Sequence, residues 1–259
     1  MNTIPIPPRH PPPFRVAAVI VAGGRGLRSG GGRPKQFRDL AGRPLLAWSV
    51  GRLAVMAEVA QLVVVVPEGW EAEAGGIVAA AMDNLVSPPP WRLATGGSRR
   101  QDSVRAGVAD VDPAIPWVAV HDAARPFVPT DLSDLWRAAA ATGAAILAAP
   151  VTDSLRRGAG GLLLPADGDA AAALDRDGLW AAQTPQVARR IPLLAALADA
   201  DAAGVEVTDE AAALVRAGIP VAIVPGPRSN FKLTTPDDWG LAEAIAHAST
   251  PTTAEGTPP

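Results

Sequence analysis

Short apolar runs alternate with helix-like segments through the first 150 residues of this 259-residue chain. The runs Arg15–Val21, Gln61–Val66, Trp117–Val120 and Ala144–Ala149 have the length and composition of buried parallel strands, and Trp91–Ala94 is a weaker candidate. Parallel strands joined by helices form a sheet that is covered on both faces. The pattern therefore predicts an α/β fold with a Rossmann-like, three-layer, mainly parallel sheet.

The pattern changes over residues 151–179, where Gly and Asp are frequent and no helical period is sustained. This segment predicts an extended excursion from the sheet, in the form of a β-arm. A further strand is predicted at Pro220–Val224. The predicted helices cover residues 44–58, 70–82, 96–109, 131–141, 191–200, 208–217 and 236–247.

The two ends of the chain differ in composition from the rest. Residues 1–13 are Pro-rich and predict a disordered leader, residues 14–248 a single domain, and the Thr/Pro/Gly-rich residues 249–259 a disordered tail. No run reaches the roughly 20 apolar residues of a membrane span. The N-terminus also lacks the apolar core of a signal peptide, so we expect a cytoplasmic protein.

Composition excludes several kinds of site. The chain has no cysteine, which rules out disulfides, thiolate metal sites and thiol nucleophiles, and its three histidines argue against a His-rich metal site. A net charge of −3 gives no global basic field that would favour nucleic acid. Any anion-binding site must therefore be local.

The segment Ala22–Lys35 is a Gly-rich loop directly after the first predicted strand. Glycines let successive backbone N–H groups face one anion, and Arg28 and Lys35 add positive charge. A dinucleotide fingerprint would need Gly where Ser29 stands, and a Walker loop would need Gly-Lys-Ser/Thr where Pro34 precedes Lys35. The loop predicts an anion site of another kind; the alternative is a flexible, basic surface loop.

Two more polar segments, Gly96–Ser103 and His121–Arg125, fall near the carboxyl ends of predicted strands, where open α/β sheets bind ligands. Gly96–Ser103 begins a helix whose N–H groups suit an anion or a base edge, although Ser98 could simply cap that helix. Asp122 ends a buried strand and needs a partner, either Mg²⁺ or Arg125.

Lys232 lies in a short apolar stretch, where an anionic ligand would offset the cost of burying its ammonium group. The alternative is a side chain that snorkels from a strand edge. His121 invites a general-base interpretation, but we interpret it as structural. Thr208 is interpreted as the N-cap of a helix with an acidic first turn.

The pattern A-G-G-x-G-x-R, followed by P-K-Q-F, resembles the signature loop of the sugar-phosphate nucleotidyltransferases. Within that group, further segments are similar to the 2-C-methyl-D-erythritol 4-phosphate cytidylyltransferases. They occur in the family's order and extend the resemblance over about residues 15–247. These segments are residues 96–104, 120–127, 149–154, 174–180, 183–186, 208–211 and 230–234.

The resemblance implies a nucleotide-diphospho-sugar transferase type of fold. It also implies cytidylyl transfer from CTP to 2-C-methyl-D-erythritol 4-phosphate in isoprenoid precursor synthesis, with Mg²⁺ as cofactor. The arm implies a homodimer in which Ser154, where a Thr is more usual, and Arg176 reach the partner's site. Alternatives are transfer to another polyol phosphate such as ribitol 5-phosphate, a uridylyl- or guanylyltransferase, or a non-catalytic nucleotide-binding domain.

The resemblance assigns roles to residues of this chain in four groups. The catalytic residues are Arg28, Lys35 and Lys232; the nucleotide-binding residues are Ala22, Gly23, Gly24, Gly26, Gly97, Arg100 and Ser103; the substrate-binding residues are Asp122, Ser154, Arg176, Thr208 and Thr234; and the metal-binding residue is Asp122.

Overall fold

Seven strands form one sheet in the computed structural model, which describes residues 14–23, 33–83, 85–156, 158–159, 162–163 and 174–249. Eleven strands are present in this part of the chain, and two pairs of them form small separate ribbons. In chain order the strands are β1 (Val16–Val21), β2 (Asp39–Leu40), β3 (Arg43–Pro44), β4 (Val59–Val66), β5 (Trp91–Thr95), β6 (Trp117–Asp122), β7 (Ala144–Pro150), β8 (Gly158–Ala159), β9 (Leu162–Leu163), β10 (Trp180–Arg189) and β11 (Ala222–Pro225).

The helices of the described residues connect these strands and cover them. They are α1 (Leu45–Ala54), α2 (Glu71–Met82), α3 (Arg100–Ala109), α4 (Ser133–Thr142), α5 (Arg190–Ala202), α6 (Glu210–Arg216) and α7 (Pro236–Ser249), and Lys35–Phe37 forms a short 3₁₀ turn. Each predicted helix is present, although α1 ends four residues earlier than residue 58, the predicted end.

The strand order in the large sheet is β11-β7-β10-β6-β1-β4-β5. β1 pairs in parallel with both β4 and β6, and β7 pairs in parallel with β11. β10 is antiparallel to both of its neighbours, so the other six strands run in one direction. The predicted three-layer, mainly parallel α/β fold is confirmed.

β10 is a strand that the sequence interpretation missed. It contains Pro185, which cannot donate to a ladder and normally argues against a central strand. The structure accommodates the proline at an irregularity, because the pairing with β7 shifts register between Ala182 and Gln186. The strand enters the sheet at the edge where the parallel strands end, and this brings Thr184 beside Asp122.

The core has two main layers, one on each face of the sheet. In β1, Val16, Ala18 and Ile20 point into the layer under α1, α2 and α4, whereas Ala17 and Val19 point into the layer under α3, α5 and α6. This alternation follows from the two-residue period of a strand. A third, smaller cluster joins α7 to the segments around β2, and its members are Leu40, Leu45, Leu233, Ala242 and Ala246.

The predicted arm is represented by its described residues, which include the β8–β9 ribbon and a bridge between Leu155 and Leu174. The predicted leader, residues 1–13, and most of the predicted tail lie outside the described residues, as does the loop segment 24–32. None of the helices that the structure describes combines the length and apolar character needed to cross a bilayer.

Candidate active site

Two glycine-bearing loops meet at the edge where β1, β5 and β6 end. A Cβ on Gly23 would lie 2.9 Å from Ser103 Oγ, and one on Gly96 would lie 2.8 Å from the same atom. A Cβ on Gly97 would collide with the Cβ of Asp102, an atom too close to the backbone of α3 to move aside cheaply. Glycine is therefore required where the loop after β1 touches the loop before α3.

The predicted nucleotide-binding residues of the second loop, before α3, form hydrogen bonds within that segment. Ser103 is buried, and its hydroxyl accepts a hydrogen bond from Gly97 N at 3.1 Å. Asp102 accepts from Arg99 N at 3.2 Å, so α3 begins after Arg99, and the alternative in which Ser98 caps this helix is wrong. Ser98 instead donates to Asp102.

Lys35 is held in the site by the turn that follows the Gly-rich loop. The neighbouring Gln36 is buried and donates from Nε2 to the carbonyl of Ala22, which ties the turn back to β1. Lys35 Nζ donates to the carbonyl oxygen of Leu233 at 2.6 Å. Burial, followed by the charge of Lys232, lowers the pKa of Lys35. Two cations from opposite ends of the chain therefore lie close together.

Asp122 is the anionic centre of the site, and only 7% of the residue is exposed. Its Oδ2 accepts from Lys232 Nζ at 2.7 Å, and its Oδ1 accepts from Arg100 Nε at 3.1 Å and Nη2 at 3.0 Å. Burial alone would raise the pKa of Asp122, but the charges of Arg100 and Lys232 outweigh it and hold that pKa well below its usual range. Asp122 is therefore an ionised carboxylate.

Arg100 commits all five of its N–H groups to protein acceptors. Besides Asp122, it donates to Glu210 from Nη1 at 2.7 Å and from Nη2 at 3.2 Å, and Nη1 also reaches the carbonyl of Thr208 at 3.4 Å. The expected contact between Arg100 and the nucleotide stays a prediction. In this structure Arg100 supports Asp122 instead.

Glu210 is a site residue that the sequence interpretation missed, because Thr208 was taken as a helix cap with an acidic first turn. The cap is Asp209, whose Oδ1 accepts from Ala212 N at 2.8 Å. That start of α6 turns Glu210 inward, where it is 1% exposed. The run Thr-Asp-Glu could have indicated this role, because one acidic residue is enough to cap a helix and the second acid is then available to pair with a cation of the site.

His121 is fully buried, and its two ring nitrogens are both occupied. Nε2 lies 3.0 Å from Arg125 O, and Nδ1 lies 2.9 Å from the hydroxyl of Thr184. Burial is the main cause that lowers the pKa of His121 to about 4. A neutral ring that donates to Arg125 O and accepts from Thr184 satisfies every contact, which supports the structural interpretation of this histidine.

Arg125 is not the salt-bridge partner of Asp122, which corrects one of the two alternatives for that carboxylate. Its guanidinium donates to the carbonyl oxygens of Asn230 at 2.8 Å and Ala182 at 3.2 Å. Leu233 N also donates to Ala124 O at 2.9 Å. These bonds fasten the segment that carries Lys232 along the end of β6. Lys232 is therefore paired with Asp122 rather than snorkelling alone.

The remaining predicted residues lie in three places. Thr208 and Thr234 are exposed near the Asp122 cluster, and Thr234 Oγ1 donates to the carbonyl of Lys232 at 3.1 Å. Ser154 and Arg176 are exposed on the arm, where Arg176 donates to the carbonyl of Thr152. No contact in the described residues joins these two to Asp122. The predicted residues Gly24, Gly26 and Arg28 lie outside the described residues.

Positive charge is concentrated around Asp122. Within the part of the chain that the structure describes, four cationic side chains interact with its carboxylate, namely Lys35, Arg100, Arg125 and Lys232, while Glu210, Asp209 and Asp238 act on other members of the cluster. The described residues contain no group of three or more His, Cys, Asp or Glu side chains that could hold a metal ion. The arrangement suits a polyanionic ligand better than a protein-caged cation.

Known proteins resemble the chain over most of its length. A sequence profile described as 2-C-methyl-D-erythritol 4-phosphate cytidylyltransferase matches residues 16–248. A protein of that name from Deinococcus radiodurans is 44% identical over 235 residues, which cover 89% of each chain. Another of that name, from Bordetella petrii, is 44% identical over 232 residues, which cover 87% of this chain and 96% of the relative.

Solved structures agree with the sequence comparison. The crystal structure of 2-C-methyl-D-erythritol 4-phosphate cytidylyltransferase from Thermus thermophilus superposes with a TM-score of 0.70 at 31% sequence identity. The match covers 90% of this chain and 99% of that one. The same fold thus recurs over nearly the whole of the described residues.

Proposed function

The chain belongs to the 2-C-methyl-D-erythritol 4-phosphate cytidylyltransferase family, and we propose that its reaction takes place where Lys35, Asp122 and Lys232 meet. In that reaction CTP gives its cytidylyl group to 2-C-methyl-D-erythritol 4-phosphate. The products are 4-diphosphocytidyl-2-C-methyl-D-erythritol and pyrophosphate, in the synthesis of isoprenoid precursors. The observation that carries the location is the convergence of two lysines from opposite ends of the chain on the loop-lined edge of the sheet.

The triphosphate of CTP occupies the edge beside Ala22 and Gly23. The close approach of Gly23 to Ser103 supports this placement, because it leaves backbone rather than side chains facing the groove. Gly24, Gly26 and Arg28 continue that loop, and the family resemblance assigns them to the same triphosphate. Gly97 and Ser103 shape the neighbouring wall, where the family resemblance puts the cytidine.

The acceptor phosphate occupies the side of the site that Lys232 and Asp122 define. Thr208 and Thr234 are exposed there and offer hydroxyl groups. Lys35 lies between the two halves, since its ammonium group bonds to the backbone one residue after Lys232. A phosphate that arrives beside these lysines opposes the burial and the charge of Lys232, the two causes that lower the pKa of Lys35.

The chemical step needs no protein base. An oxygen of the acceptor phosphate, already ionised at neutral pH, attacks the α-phosphorus in line, and a new P–O bond forms. The bond from the α-phosphorus to the bridging oxygen breaks, and pyrophosphate leaves with the electron pair. Catalysis then comes from positioning and electrostatic stabilisation by Arg28, Lys35 and Lys232. The neutral, enclosed His121 takes no part in this step.

Magnesium fits this site only as an ion held mainly by substrate. Arg100 uses both acceptor directions of Asp122 Oδ1, and Lys232 uses one of Oδ2, so one lone pair of Asp122 is left for a cation. Mg²⁺ commonly takes one carboxylate and completes its shell with water and phosphate oxygens. When bound, it neutralises charge on the triphosphate. Asp122 is the residue that we propose as its protein ligand.

The arm supplies Ser154 and Arg176 to the acceptor site of a second copy, in a homodimer. Support comes from the exposure of both residues and from the exposed apolar surface at the base of the arm, where Leu179 is 41% and Trp180 is 38% exposed. Because CTP and the acceptor are charged phosphates that membranes retain, we place the enzyme in the cytoplasm.

Complementation between inactive subunits tests the arm. Arg176→Ala and Lys232→Ala, co-expressed with different tags, are each expected to be inactive alone. The doubly tagged heterodimer contains one site with both residues intact, so it should recover about half of the wild-type activity per dimer. A heterodimer as inactive as its parents would contradict a shared site.

Pyrophosphate release across four nucleoside triphosphates and several polyol phosphates tests the reaction itself. We expect release with CTP and 2-C-methyl-D-erythritol 4-phosphate and little with ribitol 5-phosphate. Release with ribitol 5-phosphate at a higher kcat/KM would overturn the acceptor assignment. Binding of CTP without release for any acceptor would favour a non-catalytic domain.

A further inference from the structure

Glu210 is a buried acid that none of the roles above uses. It is 1% exposed at the first position of α6, and both of its carboxylate oxygens accept hydrogen bonds from Arg100. Burial raises the pKa of Glu210, and the charge of Arg100 opposes that effect. The two-point contact, with N–O distances of 2.7 and 3.2 Å, is the arrangement of an ionised carboxylate held in an arginine fork.

The guanidinium of Arg100 presents two pairs of N–H donors, and each pair contacts a different carboxylate. Nη1 and Nη2 point toward Glu210, whereas Nε and Nη2 point toward Oδ1 of Asp122. Oδ2 of Asp122 is left for Lys232 Nζ, which lies 2.7 Å away. The position of Lys232 therefore depends on which oxygen of Asp122 the guanidinium takes.

We propose that Glu210 is a positioning residue for the acceptor half of the site, acting through Arg100 to keep Lys232 on Oδ2 of Asp122. This inference rests on the proposed function, because it assigns Lys232 to the acceptor phosphate. Without Glu210, two donors of Arg100 lose their charged acceptor, and Asp122 becomes the one carboxylate that Arg100 contacts in the described residues. An arginine fork favours two-point contact with a carboxylate, so it takes both oxygens of Asp122 and displaces Lys232.

The consequence is a loss that depends on the substrate. Displacing Lys232 lowers kcat and raises KM for the acceptor, and a misplacement of about 1 Å can cost about a hundredfold. The proposed site of the CTP triphosphate is the loop after β1, to which Arg100 donates none of its hydrogen bonds in the described residues, and Glu210→Met keeps Arg100 for its predicted contact with the nucleotide. Glu210→Met should therefore lower kcat/KM for the acceptor at least about tenfold and leave KM for CTP within about twofold of the wild-type value.

A double variant separates positioning from a general structural role. In Arg100→Met/Glu210→Met no guanidinium competes for Asp122, and a buried ion pair has been exchanged for apolar side chains of similar volume, a change that proteins often tolerate. The proposal predicts a higher kcat/KM for the acceptor in the double variant than in Glu210→Met, and KM for CTP reports separately on the predicted contact of Arg100 with the nucleotide. A purely structural role predicts that removing both residues is at least as harmful as removing one.

The adjacent arginine provides a matched control. Arg99 bonds to Asp201 on α5, with 2.5 Å between Nη2 and Oδ1, and within the described residues this pair makes no bond to Asp122. Asp201→Asn also deprives an arginine of a carboxylate, one position away in the chain. We expect its kinetic constants for both substrates to remain within about twofold of the wild-type values, since exposed ion pairs contribute little.

The experiment measures steady-state pyrophosphate release with each substrate varied in turn, together with thermal unfolding of every variant. If Glu210→Met does not fold, Glu210→Gln keeps one acceptor oxygen and carries the same prediction. The inference is overturned if Glu210→Met keeps wild-type acceptor kinetics, if it raises KM for CTP as much as KM for the acceptor, or if the double variant is no better than the single. An inactive wild-type enzyme would instead contradict the proposed function, so the two failures are distinguishable.

Discussion

Replacing Lys35 with alanine should separate catalysis from stability. Lys35 is half-buried, and its ammonium group donates to the carbonyl of Leu233 at 2.6 Å. A hydrogen bond from a charged donor contributes about 1.5–3 kcal/mol to stability. The variant also relieves the burial and the repulsion from Lys232 that lower the pKa of Lys35, and this offsets part of the loss. We expect the free energy of unfolding to fall by less than about 2 kcal/mol.

The kinetic effect should be larger, because Lys35 faces the charge that builds up at the reacting phosphates. Removing one donor of this kind typically lowers kcat by about 10²–10³, or about 2.7–4 kcal/mol of transition-state stabilisation. The assay is pyrophosphate release at saturating CTP and acceptor. A thermal melt of the same preparation should show a fall in Tm below about 8 °C, at about 2–4 °C per kcal/mol for a chain of this size.

Arg33 supplies the control for Lys35. It lies two positions earlier and forms a partly exposed ion pair with Glu73 at 2.5 Å, and within the described residues no hydrogen bond joins it to Asp122. Exposed pairs contribute about 0–1 kcal/mol, so Arg33→Gln should leave both Tm and turnover nearly unchanged. Turnover of Lys35→Ala within about threefold of the wild-type rate, in a folded protein, would refute the role of Lys35, because the expected loss is about 10²–10³. Equal damage from Arg33→Gln would point to loop structure rather than to charge.

Three further predictions concern the stability of the site and of its surroundings. Burial lowers the pKa of His121 to about 4, from 6.5 in the unfolded chain, so the unfolded state binds more protons between these pH values. The free energy of unfolding, measured in urea, should therefore fall by about 2 kcal/mol from about pH 7 to about pH 5. His121→Gln should flatten that pH dependence. Asp122→Asn removes one partner of a buried charge cluster and should cost about 3–5 kcal/mol in urea unfolding, whereas a loss below about 1 kcal/mol would show that its partners find other acceptors. Gly107→Ala on α3 should destabilise the protein by about 1–3 kcal/mol, since the added Cβ would lie 2.5 Å from Val65 Cγ2. Gly76→Ala, on α2 with open space around it, should stabilise the protein by about 0.5–1 kcal/mol. A change of the same sign in both variants would refute the close packing of α3.

Local patterns were sufficient to predict most of the sheet. β1 and β7 are continuous apolar runs and β4 is interrupted only by Gln61, so their type does not depend on distant residues, and α1 and α4 show the periodicity expected of helices with one apolar face. β10 was missed because its identity is a tertiary property. A proline and three polar residues stand in its middle, and the strand exists because β6 and β7 hold it from both sides.

The sequence indicated which residues form the site, but it did not indicate which of their charged side chains contact each other. Asp122 was expected to have a cationic partner because it ends a buried strand, and Lys232 was expected to meet an anionic ligand because it lies in apolar sequence. Their direct contact at 2.7 Å joins residues 110 positions apart, which no spacing rule encodes. Arg125, a few residues along the chain, was the protein partner considered for Asp122, and the actual partners are Arg100, at the start of α3, and Lys232. Charge partners in a site are set by topology rather than by sequence distance.

β10 and Glu210, the strand and the acid that the sequence interpretation missed, both help to hold Asp122 in place. Thr184 on β10 accepts a hydrogen bond from Asp122 N at 3.1 Å, and Glu210 on α6 holds Arg100 against the same aspartate. The backbone of Asp122 is thus fixed from one side and its carboxylate from the other. Because Oδ2 of that carboxylate accepts from Lys232, the two supports influence where the ammonium group of Lys232 lies. The precision of the acceptor half therefore depends on elements that carry no recognisable phosphate motif.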